Sequence, residues 1–113
     1  MSQHDDRVRL RHMRDYAAEA IQLSQGRARS DLDSDRLYSL AMIRLVELIG
    51  EAASRISAGL QSQHPQIPWG PIIGARNRLI HGYDRVDLRI IWDTIEYDLP
   101  RLIETLRGTF GED

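Results

Sequence analysis

Cysteine is absent from this 113-residue chain, which excludes disulfide bonds, thiolate nucleophiles and the usual thiolate zinc site. Lysine is absent as well; all 15 residues counted as Lys or Arg are arginine. Arginine makes planar, bidentate contacts to phosphate and carboxylate, although a biased genome composition explains the same usage without a ligand. No apolar run reaches the length of a membrane span, and the charged segment from Met1 to Arg14 lacks the core of a signal peptide. A cytoplasmic location is the expectation. An excess of one charge sign is missing too. The formal net charge is −2, so any contact with nucleic acid must come from a local patch.

What is present is ordinary for a folded protein: 42% hydrophobic and 28% charged residues argue against wholesale disorder. The length fits one domain, residues 1–113, with modest stability to spare, so partner contacts or dimerisation can matter. Apolar periodicity predicts four helices. The first runs from about Arg7 to Gln25, capped by Asp5 or Asp6 and ended by Gly26; Leu10, Met13, Ala17, Ala20, Ile21 and Ser24 form its inner face. Gly26 to Asp33 reads as a polar loop.

The second helix starts near Ser34 or Asp35 and continues to about Ser57. Leu37, Leu40, Ala41, Leu45, Leu48, Ile49, Ala52 and Ile56 give it a broad apolar stripe. Gly50 sits inside it, where glycine costs roughly 1 kcal/mol against alanine. Close approach of another helix and simple tolerance both fit. Glu51 and Arg55, four apart, read first as a solvated intrahelical pair; the alternative is that Glu51 orients Arg76 from across the helices.

A connection from Gly59 to Trp69 leads to a third helix that opens at Pro68 or Pro71 and ends at His81, with Gly82 as its cap. The fourth follows Asp87 and carries Leu88, Ile91, Trp92, Ile95, Leu99, Leu102, Ile103 and Leu106. Pro100 should kink or split it, and the tail beyond Gly108 should fray. The economical architecture is an all-α, antiparallel four-helix bundle.

One segment carries chemistry: Arg76-Asn77-Arg78-Leu79-Ile80-His81-Gly82-Tyr83. At about 100° per residue, Asn77 and His81 share a helix face and Arg76 adjoins it. A guanidinium, an amide and an imidazole thus gather at a helix end, and Tyr83 can fold back beyond Gly82. That set suits phosphodiester chemistry, with imidazole as acid or base and arginine against phosphoryl charge. The alternative is structural: a capping histidine beside surface arginines. One imidazole per chain is thin for acid–base catalysis, a deficit that two chains meeting at this cluster would remove.

These residues resemble the HEPN superfamily. Arg76 to His81 matches its arginine–four residues–histidine motif, Asn77 the polar residue after the arginine, and Tyr83 the extended form seen in HepT-like toxins. The blocks LIGEAASRIS (48–57), HPQIPW (64–69), RNRLIHGYDRVD (76–87) and IWDTIEYDLP (91–100) extend the resemblance over Leu37–Leu106. The resemblance implies a four-helix bundle of HEPN type that dimerises with its motifs facing each other. It implies a metal-independent endoribonuclease toxin of a type VII toxin–antitoxin system, acting on RNA. Arg76 and His81 would be catalytic, Asn77 supporting, and Tyr83 the acceptor of AMP from a minimal nucleotidyltransferase antitoxin (MntA-like). The chain itself would need no cofactor or metal; ATP and Mg²⁺ would serve the partner alone, and the homodimer can assemble further with it. A rival of another class is a non-catalytic interaction module that binds the nucleotidyltransferase as its modification substrate.

The remaining candidates read as structural. Trp69 and Trp92 are core or interface anchors, His64 sits in a loop, and His4 and His12 lack a partner at metal spacing. A contact with RNA by Arg7, Arg9, Arg11 or Arg14 is a separate expectation, outside the resemblance.

Overall fold

The structure, a computed structural model, describes residues 3–81 and 85–110, with residues 3, 80 and 81 described by backbone alone. Its backbone is mostly helical, and no strand occurs among the described residues. Four long rods carry the core: α1 (Gln3–Leu23), α3 (Arg36–Ser54), α5 (Trp69–His81) and a broken fourth made of α6 (Leu88–Asp93), a π turn (Thr94–Asp98) and α7 (Leu99–Leu106). Two short helices, α2 (Ser30–Ser34) and α4 (Ala58–Gln63), lie in the connections. The rods close a ring, α3 packing on α1 and α5, and the fourth rod reaching both α5 and α1. This is the expected all-α bundle.

Local chemistry explains most boundaries. Asp35 caps α3 by accepting from the Tyr38 N–H at 3.1 Å, and Asp87 caps α6 by accepting from the Arg89 N–H at 2.9 Å. Gly26 takes φ 76°, the left-handed geometry that closes the chain after α1. The fourth rod splits just ahead of Pro100. Proline removes a helical N–H and crowds the preceding turn. The break takes the form of a wide turn in which the Leu99 N–H reaches the Thr94 carbonyl, five residues back.

Several expectations are corrected. The first helix begins at Gln3, so Asp5 and Asp6 lie inside its first turn rather than at its N-cap. Asp6 instead accepts from the Ser57 hydroxyl at 2.6 Å and the Ser57 N–H at 3.2 Å. Ser57 does not end the second long helix, which stops at Ser54; its hydroxyl oxygen accepts from the Leu60 N–H and caps α4. The segment 26–33 is not all loop, because α2 begins within it at Ser30, and Asp31 accepts from the Ala28 N–H just ahead of that helix. The stripe on α3 is narrower than expected. Leu45, Val46, Ile49 and Ala53 are buried, whereas Leu37 is 82% exposed and Leu40 faces outward. The expected fraying beyond Gly108 does not hold as far as Phe110, which is buried with the Arg7, Arg11 and Arg14 guanidiniums 4.9, 5.0 and 4.7 Å from its ring centre; residues 111–113 lie outside the described residues.

Candidate functional site

The site begins with a missing side chain. A Cβ added to Gly50 would lie 2.2 Å from the Arg76 Cβ and 3.0 Å from the Ile72 carbonyl oxygen. The two helices therefore meet backbone to side chain, and close approach, not tolerance, explains the glycine. Ile72 and Ala75 turn the inner face of α5 into the core, which sets Arg76 against α3. Both prolines fit the start of α5. Pro68 precedes the helix and supplies the carbonyl for the first helical bond, to the Ile72 N–H, and Pro71 falls among the N–H positions that have no helical partner. Trp69 is anchored by its indole N–H, which donates to the His64 carbonyl at 3.0 Å.

Pressed onto α3, the Arg76 stem delivers its guanidinium to the next residue along, Glu51. Arg76 Nη2 donates to Glu51 Oε2 at 2.5 Å, and Nη1 donates to Asn77 Oδ1 at 2.9 Å. Arg55 donates through Nε and Nη2 to the other oxygen, Glu51 Oε1, at 3.0 and 2.9 Å. Glu51 thus joins its helical neighbour to the motif arginine, and the purely intrahelical reading is superseded. The hydrogen bond from Arg76 holds the Glu51 carboxyl below the usual glutamate range, against an opposing push from burial. The carboxylate stays charged where an imidazole titrates, so the bridge is intact there. Among the described residues, Arg76 Nε is the one buried side-chain nitrogen or oxygen without a hydrogen-bond partner.

His81 is the last residue of α5, and its side chain lies outside what is described; Gly82 and Tyr83 lie outside the described residues altogether. The structure therefore brings Arg76 and Asn77 together and adds Glu51, which sequence alone ranked below a simple pair with Arg55. The useful signal was Gly50 immediately before it. Arg78 is exposed. His64 closes α4 and is half-buried. Among the described residues, no three His, Asp or Glu side chains come together to hold a metal ion, and no helix is long and apolar enough to cross a membrane.

The model of a family described as ribonuclease HepT-like matches residues 13–108. A protein named "Probable ribonuclease HepT" from Thermococcus cleftensis is 38% identical over 97 residues, covering 82% of this chain and 84% of that one. A "Putative RNase" from Caldanaerobacter subterraneus subsp. tengcongensis is 34% identical over 93 residues, covering 82% and 83%. One from Methanocaldococcus jannaschii is 28% identical over 102 residues, covering 90% and 94%. No solved structure gives a significant match.

Proposed function

The chain belongs to the ribonuclease HepT-like family, and on that premise we propose that it is an endoribonuclease toxin cutting RNA at a shared two-chain centre of Arg76 and His81. The observation that carries this reading is the fixed guanidinium. Arg76 is locked by Glu51, by Asn77 and by its seat against Gly50, and it lies on the same helix five residues before His81. A guanidinium so held costs little to reorganise when charge builds on a phosphoryl group. RNA brings its own nucleophile. One imidazole takes the 2′-hydroxyl proton as that oxygen bonds to phosphorus. The imidazole of the second chain protonates the departing 5′-oxygen as its bond to phosphorus breaks. The product ends in a 2′,3′-cyclic phosphate, and no metal enters.

A homodimer gains support from α3, where exposed Leu37 and Leu40 lead along one helical stripe to Glu51. Tyr83 is the proposed acceptor of AMP from a minimal nucleotidyltransferase that uses ATP and Mg²⁺. The added phosphodiester would satisfy the arginines that RNA needs and would fill the space of a nucleotide.

The test is cleavage of RNA by the purified, unmodified chain in EDTA. Wild-type protein should give fragments with cyclic phosphate ends, and His81→Ala should give none while keeping its helicity. Inhibition by EDTA would sink the metal-free route. No cleavage at all would leave the interaction module. With the nucleotidyltransferase and ATP–Mg²⁺, wild type should gain AMP in mass and fall silent, and Tyr83→Phe should do neither.

A further inference from the structure

Two faces of α1 carry its polar residues, and they have different neighbours. Arg7, Arg11 and Arg14 turn toward Phe110. Asp5, Val8, Arg9, His12 and Tyr16, one helical turn apart, turn toward α3. Between that second face and Leu48, Glu51, Ala52 and Arg55 of α3 lies an open cleft of about 440 Å³. Its size falls in the range of ligand clefts, about 300–1,000 Å³.

We propose that this α1–α3 cleft is an RNA subsite, holding a nucleotide that flanks the scissile bond with its base on the His12 and Tyr16 rings and its phosphate at Arg9 and Arg55. The assignment rests on the ribonuclease reading above and deepens it. Continuity comes first: Glu51 lines the cleft and is bonded to Arg76, so a strand leaving the motif arginine enters the cleft across one side chain. Chemistry comes second. The His12 and Tyr16 ring centres are 6.2 Å apart and tilted by 47°, a surface on which an unpaired base can rest. Arg9 and Arg55 offer guanidiniums within the same lining, and His4 adds an imidazole to it. Two carboxylates belong to the lining as well. Glu51 is already matched by Arg55 and Arg76, and Asp5 lies in the first turn of α1. Counting Arg76, arginines outnumber carboxylates, which suits a single phosphodiester rather than a polyanionic duplex.

The test compares substrates of two lengths. With a single-stranded RNA long enough to fill the cleft, Arg9→Gln and His12→Ala should each raise KM about tenfold, and Arg9→Gln should lower the salt slope of binding by about one. With a dinucleotide that spans only the scissile bond, both variants should match wild type. If wild type cleaves RNA and both variants keep its KM on the long substrate, the subsite is overturned and the ribonuclease reading survives. Equal losses on both substrates, with a lowered Tm, would overturn it in favour of a structural role for the cleft residues. If wild type neither binds nor cleaves RNA, the ribonuclease reading fails and takes the subsite with it.

Discussion

Arginine is used in two opposite ways at two places in this bundle. On α5, one guanidinium is held by a carboxylate, an amide and the bare backbone at Gly50, and one of its donors has no acceptor among the described residues. On α1, three guanidiniums gather around one aromatic ring, Phe110, and shield it from water. The first arrangement fixes a cation where a phosphoryl group could meet it. The second covers an apolar group with amphipathic side chains. In a chain whose only strong cation is arginine, the residue type does not locate the chemistry. What surrounds each guanidinium does.

The sharpest way to break this comparison is to remove one arginine from each place. Arg76→Ala should lower RNA cleavage by roughly 10²–10³-fold, the usual loss when one preorganised donor is deleted. Arg11→Ala should leave cleavage within about twofold. Matched single-turnover assays decide; comparable losses would erase the distinction. Next in size is Phe110→Ala, which takes the ring from under its three arginines. Truncation of a buried phenylalanine costs about 3 kcal/mol or more, so the urea midpoint should fall while cleavage at 25 °C persists. Loss of cleavage at full folding would mean that the arginine-covered ring belongs to the site.

The smallest effect sharpens the other side. Gly50→Ala places a methyl group against the Arg76 stem. Overpacking of this kind costs about 1–3 kcal/mol, and cleavage should drop with it as the guanidinium is displaced. Gly74→Ala is the control, since nothing lies within 4 Å of a Cβ there, and alanine suits a helix better by roughly 0.5–1 kcal/mol. Thermal melts of the two variants should move in opposite directions, and cleavage should fall for Gly50→Ala alone. Equal behaviour would remove Gly50 from the account of the site.

Much of the fold was legible because it rests on local rules. The spacing of Leu10, Met13, Ala17 and Ala20 places the inner face of α1, and all four are buried. Asp35 and Asp87 cap the helices that their positions foretell, and the fourth rod breaks beside Pro100. What escaped depends on partners distant in sequence. Ser57 starts α4 while its hydroxyl reaches Asp6, and five- or six-residue helices show no periodicity of their own. Leu37 and Leu40 have the composition of a core stripe, yet the bundle leaves them outside. Phe110 reads as part of a tail until three arginines from the other end of the chain close over it. At the site, Arg76 and Asn77 could be chosen from a motif, and Glu51 could not be ranked until Gly50 was seen to bring α5 against α3.

The wide turn at Thr94–Asp98 has a consequence for phase. It accommodates one residue more than an α-helical turn does, so it acts as a built-in one-residue insertion in an otherwise continuous rod. Were the rod regular throughout, everything after it would be rotated by about 100°. Leu99, Leu102 and Leu106, all fully buried, would then point along the flank of the bundle instead of into it. Pro100 is thus more than a place where a helix falters. It sits at a register correction that keeps two short apolar stripes, Ile91–Ile95 and Leu99–Leu106, aimed at the same interior.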